Sequence, residues 1–516
     1  MKGNAHHGGK FNRTRIHTGE HGLWKENPCE GVCSGLFPSS WLSHGQTMKC
    51  RHMDLLLTHG HFLYEDPKEL GIMKPYPPLG LLYLSSHLRK KGFDVEIYDT
   101  TFGSRAELLD ILQNYRPSVL GIYGNLMTRS NVLSIIAAAR ASGWMVVLGG
   151  PEPPAYAEEY LNAGAHLIVQ GEGEVTLEDV LSAFRRGGPG FFHDIPGLIL
   201  RAEDGSLIRT PARPLIPELD GQPWPDRERI AIEKYVEVWR ARHGMGSLSL
   251  ITARGCPYRC RWCSHATYGN THRRRSVNGV VDEIEWLIRR YQPDMLWMAD
   301  DVFTIHHGWI LRFAQEMKAR GLKIPFECIT RADRMSPPVA DALAGSGCFR
   351  VWIGSESGSQ RILDAMERGV SLEQVGDAIE LCRARGIQTG IFLMWGYEGE
   401  EISDIEATVE HVKKTRPDVF LTTVSYPIKG TPYFDDVAPR LVSRQPWRET
   451  TDRELVIRGR RSKEFYAIAD RLLRSEVALE NSSREPQADA SAAIQLRRQV
   501  EEARQGLRKA AMQVES

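Results

Sequence analysis

The sequence carries no net charge, with 65 Lys and Arg against 65 Asp and Glu, so no overall field draws it to nucleic acid or to an anionic membrane. No run of about 18 apolar residues and no signal-peptide pattern occurs, which argues against a membrane span and against export. Cysteine is sparse, nine in 516 residues and not evenly paired, which excludes a disulfide scaffold. A cytoplasmic protein is expected, too long for one core and divided into two or three domains. Its hydrophobic content of 42% is enough to pack each of them.

Three of the nine cysteines stand together in Arg254-Gly255-Cys256-Pro257-Tyr258-Arg259-Cys260-Arg261-Trp262-Cys263, a C-x-x-x-C-x-x-C pattern. Three thiolates on one short loop can hold three irons of a 4Fe-4S cluster and leave the fourth iron open for an outside ligand, whereas a purely electron-carrying cluster usually has four cysteines. Structural zinc is the rival reading. It needs a fourth ligand, which His265 could supply, and its cysteines usually come as C-x-x-C pairs. The spacing, with Trp262 just before the last cysteine, resembles the signature of the radical S-adenosylmethionine (SAM) superfamily. That resemblance implies that the amino and carboxylate groups of SAM chelate the open iron and that Trp262 lies against the adenine. A cluster with an open iron needs reducing conditions, which again suits the cytoplasm.

Residues 1–52 are rich in Gly, His, Asn and Ser without an apolar period. They are expected to be disordered or to follow from a start codon set too early, the second being preferred, and Cys29 and Cys33 there lack partners for a metal site. From Met53 onward, strands are expected at 53–58, 95–98, 119–123, 145–148 and 167–169, with helices such as 79–89 and 131–140 between them. The pattern is that of a five-stranded parallel sheet covered on both faces. Ligands of such sheets bind at the carboxyl ends of the strands, where the turns read Gly124-Asn125-Leu126-Met127-Thr128, Gly149-Gly150-Pro151-Glu152 and Gly171-Glu172-Gly173-Glu174. Any doubly wound domain needs glycines at such turns. Together, and entered by Pro77-Pro78-Leu79-Gly80, they resemble the cobalamin-binding domain of the cobalamin-dependent radical SAM proteins, a likeness running from Met53 to Pro432. It implies cobalamin contacts at Gly124, Thr128, Gly149, Gly150, Glu152, Gly171 and Glu172. No histidine stands in a D-x-H-x-x-G pattern, so histidine ligation of cobalt is not expected.

Residues 191–245 hold Pro211, Pro214, Pro217, Pro223 and Pro225 and are expected to form a linker with short strands. A second βα series follows, with strands at 248–252, 295–298, 325–330, 350–353, 390–394 and 419–424, enough for a partial barrel. The expected fold is α/β: a doubly wound, Rossmann-like cobalamin-binding domain at 53–190, the linker, a partial (β/α)6 radical SAM barrel at 246–440, and a C-terminal helical region and tail at 441–516. The strand ends offer Asp300, Asp301, Arg331, Asp333, Ser355, Glu356 and Gly396. The resemblance implies that Ser355 and Glu356 face the ribose and methionine of SAM, that Arg331 approaches its carboxylate, and that Gly396 belongs to the same pocket. The alternative for Asp300, Asp301, Arg331 and Asp333 is a set of ion pairs holding the barrel mouth. The run His272-Arg273-Arg274-Arg275 is too small for a nucleic-acid footprint, though cobalamin amides or its phosphate could meet it. Cys328, Cys348 and Cys382 are expected in the core. Residues 482–492 read as a polar linker, and the last stretch as a solvated or partner-seeking helix.

The function implied is that of a cobalamin-dependent radical SAM enzyme, a methyltransferase acting on an unactivated carbon. Ring formation or rearrangement with the same cofactors is the alternative, and a non-catalytic cobalamin or redox sensor is a third. A tRNA-modifying methylthiotransferase fits less well, because that family's leading domain carries three cysteines and this chain has none between Met53 and Gly255. The cofactors implied are a 4Fe-4S cluster, SAM and cobalamin. The partners implied are a small-molecule, lipid or peptide substrate and an electron donor such as flavodoxin or ferredoxin, with no nucleic acid. No residue is singled out as catalytic.

Overall fold

The computed structural model describes residues 53–484 and 490–511. The expected leader, with Cys29 and Cys33, and part of the polar linker lie outside the described residues.

The first sheet begins with β1 (Leu55–His59), whose five residues are all buried. It pairs in parallel with β2 (Val95–Tyr98) on one side and β3 (Val119–Tyr123) on the other. Then come β4 (Met145–Gly149) and β5 (Leu167–Val169), giving the order β2-β1-β3-β4-β5. Aliphatic runs suit these strands because both faces are covered. Among the covering helices are α1 (Leu79–Lys90), α2 (Arg129–Ala141) and α3 (Glu174–Arg185). Leu56, Leu120, Ile136, Val146 and Leu148 share one core with Trp144, whose indole N–H donates to the Leu112 carbonyl at 2.8 Å. The proline-rich stretch supplies two short strands, β6 (Leu198–Arg201) and β7 (Leu207–Arg209), which extend the sheet antiparallel at its β5 edge.

The second sheet is an arc of six parallel strands: β8 (Ser247–Leu250), β11 (Met295–Met298), β12 (Phe326–Thr330), β13 (Cys348–Glu356), β14 (Gln388–Trp395) and β15 (Val419–Val424), side by side in chain order. Between β8 and β11 a two-stranded hairpin, β9 (Ala253–Arg254) and β10 (Arg273–Arg274), brackets the cysteine loop. Alternate residues point to opposite faces of a strand. On one face Leu248, Leu296, Cys328, Val351, Ile353 and Ile391 are fully buried against helices. On the other, Trp297, Glu327, Ile329, Arg350, Trp352 and Phe392 are only half-buried and line an open lumen. Cys348 and Cys382 are buried, as expected of core cysteines.

Two long helices, α4 (Lys463–Ser482) and α5 (Ala490–Ala510), close the described chain. The last is docked rather than solvated. Val500, Ala503, Leu507 and Ala510 recur at helical spacing and are buried, and Arg504 donates to Glu476 of α4 at 3.1 Å. Its abundance of Ala and Arg conceals this stripe, which is narrow and made partly of small residues. No helix among the described residues is long and apolar enough to cross a membrane.

Candidate active site

The cysteine loop leaves the second sheet just above β8. Gly255 starts it at φ +85°, and a Cβ there would lie 2.4 Å from the Thr271 carbonyl oxygen, so only glycine fits. Cys260 is buried, while Cys256 and Cys263 are half-buried. Burial together with the neighbouring Cys260 and Cys256 thiols pushes Cys263 up to about 12. A metal that binds such a sulfur displaces its proton and holds it as the thiolate. The guanidiniums of Arg331 and Arg368 approach the Cys260 sulfur at 3.9 and 3.8 Å, adding positive charge beside the sulfur.

Around the loop stand polar groups without partners. Glu356 ends β13 where the ladder with β14 slips and holds φ +61°, a conformation uncommon outside glycine and typical of functional sites. Burial raises its carboxyl to about 7 despite the Arg368 guanidinium, whose Nε is 3.7 Å away. The Ser355 hydroxyl and the Trp262 indole N–H are buried with no partner. Trp262 packs on the cluster of Met366, Tyr397 and Tyr433. Gly396 sits at φ +74°, a Cβ there would meet the Tyr466 ring at 2.7 Å, and its N–H donates to Glu400 at 2.7 Å. Unsatisfied buried groups of this kind suit a polar, zwitterionic ligand laid over the strand ends.

The ion-pair alternative describes part of the mouth. Arg331 pairs with Asp333 at 2.8 Å and lies over the Tyr258 ring at 3.6 Å. Asp300 is buried and accepts from the Thr252 N–H at 2.7 Å, with Arg274 at 3.5 Å. Asp301 differs in being exposed, beside the buried Asp300.

Between the two sheets lies a cavity of about 420 Å³. Gly149, Gly150, Gly171 and Glu172 line it from the strand-end turns, while Arg254 and Tyr268 line it from the cysteine loop. Gly150 stands at φ +110° with its α-carbon so close to Gly124 that a Cβ would lie 2.2 Å from that carbonyl oxygen. Gly121, inside β3, leaves room that a side chain would take from Leu57. A largely apolar hollow of this size, met by glycine backbone, suits part of a large organic cofactor.

Arg254 joins the two halves. Two residues before Cys256, it donates to Glu172 at 2.7 Å and to Glu174 at 2.6 Å. Glu172 also accepts from Arg273 at 2.8 Å and from the Ile216 N–H at 2.7 Å. Arg254, Glu172 and Glu174 are all buried.

Two family models fall on these two halves: the B12 binding domain matches residues 72–181 and the Radical SAM superfamily matches residues 250–412. Together they cover just over half of the chain. The chain belongs to the cobalamin-binding radical SAM enzymes. Its cofactors are accordingly a 4Fe-4S cluster, SAM and cobalamin. An uncharacterised methyltransferase of Pyrococcus horikoshii is 29% identical, over 73% of this chain and 82% of its own length. An anaerobic magnesium-protoporphyrin IX monomethyl ester cyclase of Rubrivivax gelatinosus is 27% identical, over 67% of this chain and 63% of its own length. The structure of the radical SAM methyltransferase TsrM from Kitasatospora setae, with cobalamin and a [4Fe-4S] cluster bound, superposes with a TM-score of 0.63 at 22% identity, covering 77% of this chain and 78% of that one. At that identity the likeness concerns the fold.

Within this radical SAM enzyme, not every residue expected at the cobalamin site faces the cavity. Gly124, Thr128 and Glu152 are absent from its lining. Glu152 accepts from Arg129 at 2.6 Å and from the Tyr160 hydroxyl at 2.8 Å. Arg129 goes on to the Thr450 carbonyl at 2.6 Å and to Asp452 at 3.0 Å. Thr128 bonds within its own turn, to Asn125. The three arginines of the basic run also meet internal partners. Arg273 is on Glu172, Arg274 lies over Trp309 at 3.8 Å, and Arg275 pairs with Glu283. Sequence reasoning missed Arg254 and Tyr268. Their one signal was proximity to the cysteines, since ion pairs formed across domains leave no periodicity.

Proposed function

We propose that this protein is a cobalamin-dependent radical SAM methyltransferase that transfers a methyl group to an unactivated carbon of its substrate. The observation that carries this reading is Arg254, which fastens the cysteine loop to the Gly171–Glu174 turn, so that the cluster site and the cobalamin cavity are built against one another. When bound, the cluster and SAM supply one-electron chemistry able to take a hydrogen atom from the substrate, and cobalamin supplies a methyl carrier. Cys256, Cys260 and Cys263 would hold the cluster. Trp262, Arg331, Ser355, Glu356 and Gly396 would shape the SAM site. Gly149, Gly150 and Gly171 would admit cobalamin, while Glu172 acts through Arg254 and Gly124 presents the carbonyl against which only a glycine at 150 fits. Glu152 and Thr128 would hold the far side of the sheet.

The division of labour would follow 53–190 for cobalamin, 191–245 as linker, 246–440 for the radical SAM core and 441–516 as a closing helical region. A reduced cluster implies the cytoplasm and an electron donor such as flavodoxin or ferredoxin. The substrate class spans small molecules, lipids and peptides.

Anaerobic reconstitution with iron, sulfide, cobalamin and methyl-labelled SAM tests the reading. About four irons per chain are expected, with label in the product, and Cys260→Ala is expected to lose both while retaining cobalamin. The relative named as a cyclase favours a second reading, ring formation with the same cofactors. Unlabelled product formed alongside 5'-deoxyadenosine would decide for it.

A further inference from the structure

The lumen face of the second sheet has a shape that selects a substrate class. Glu327, Arg350 and Gln388 stand abreast on β12, β13 and β14. Arg350 reaches Glu327 at 3.2 Å and Gln388 at 2.6 Å. The other carboxylate oxygen of Glu327 accepts from the Trp352 indole N–H at 2.6 Å. Among the described residues, the ionic side chains of this row are therefore paired with one another, and the floor of the lumen presents no free charge to an occupant.

One step nearer the cysteine loop, Trp352 stands beside Gly390. A Cβ at Gly390 would lie 2.4 Å from the indole, so the ring lies flat over the bare backbone of β14. Phe392 is stacked with it, 5.2 Å away at an interplanar angle of 17°. Both rings are half-buried, unlike the solvent-free opposite face of the same strands.

The lumen also adjoins the cavity. Ile251, on the lumen side above β8, lines that cavity, as do Pro77 and Pro78. Tyr76, next to them in sequence and 44% exposed, reaches the lumen-facing Trp297 at 6.4 Å between ring centroids.

We infer that the lumen holds a flat, uncharged ring system of the substrate, laid on the open side of the Trp352–Phe392 stack, with the reacting carbon borne on a saturated substituent at the ring's edge facing the junction with the cavity. This rests on the enzyme reading above and adds a substrate class to it. Trp352 and Phe392 are specificity-determining residues, and Gly390 is a positioning residue that keeps the indole flat.

The test uses the anaerobically reconstituted holoenzyme and two probes with one ring skeleton, planar naphthol and its fully hydrogenated, puckered counterpart decalol, with binding read by titration calorimetry. Naphthol is expected to bind about tenfold more tightly, since stacking adds to simple burial of area. Trp352→Leu and Phe392→Leu are each expected to remove most of that preference. Equal affinities, no binding of naphthol, or a preference that survives both substitutions overturns the inference. Phe392→Leu retains an apolar side chain, and the wild-type preference needs no variant, so a misfolded Trp352→Leu does not spoil the experiment. Binding is measured without turnover, so a failure here is separate from a failure to transfer labelled methyl.

Discussion

Two turns of the first sheet look alike in sequence and do different work. Gly149-Gly150-Pro151-Glu152 and Gly171-Glu172-Gly173-Glu174 each place a glutamate at a strand end, and each glutamate is buried on an arginine. Glu172 receives Arg254 and Arg273, both from the hairpin that brackets the cysteines. Glu152 receives Arg129, which passes its remaining donors to residues 447–452 near the end of the chain. One carboxylate joins the cavity between the sheets to the hairpin that brackets the cysteines, and the other ties down the 447–452 segment through Arg129. A buried carboxylate needs a cation wherever it lies, and the element that brings the cation decides what the pair means for function.

Removing that cation separates the two turns most strongly. Arg254→Leu leaves Glu172 and Glu174 short of a buried partner and is expected to cost about 3–5 kcal/mol. The protein that still folds should lose cobalamin as the cavity opens, which thermal unfolding and visible absorbance after desalting would show together. Retained cobalamin in folded Arg254→Leu would separate the two sites and remove the main support for their coupling.

On the other turn, Asp452→Asn weakens the partner of Arg129 but leaves Glu152 in place. The Tyr156 hydroxyl, 2.6 Å from Asp452, keeps an amide oxygen to donate to. A loss of about 1–3 kcal/mol is expected, with faster proteolysis in the 441–461 stretch and unchanged cobalamin content. Cobalamin loss on the scale of Arg254→Leu would mean that the turns do not differ in the way described.

Much of this architecture was legible in the chain. The aliphatic runs at 95–98, 119–123, 295–298 and 419–424 coincide with β2, β3, β11 and β15, because a strand buried on both faces or packed under helices leaves a short apolar block bounded by turn residues. C-x-x-x-C-x-x-C was legible because metal chemistry fixes both residue type and spacing. The partners of Glu152 and Glu172 were not, since Arg129 and Arg254 differ in nothing local that says which carboxylate each will meet. Nor was the lumen platform, because Trp352 and Gly390 become neighbours only through strand register. The docking of α5 escaped notice because Ala503 and Ala510 carry half of its buried stripe.

A third strand-end glutamate sharpens the comparison by lacking what the other two have. Glu400 follows β14 and accepts one backbone N–H, from Gly396, while its second oxygen is buried without a partner. Burial raises its carboxyl from 4.5 to about 8. The folded protein therefore holds a proton that the unfolded chain releases above pH 4.5, so this group's contribution to stability falls as pH climbs from 4.5 toward 8. Glu400→Gln keeps an acceptor for Gly396 and removes the titration. The variant should lie close to the wild type at pH 4.5, where the folded carboxyl is neutral, and exceed it increasingly toward pH 8, each unit of the raised pKa being worth about 1.4 kcal/mol. Parallel melting curves across that range would measure the difference. A constant offset between them would mean that Glu400 is already ionised in the folded protein, with Arg361 or Arg460 supplying the cation that Arg129 and Arg254 supply elsewhere.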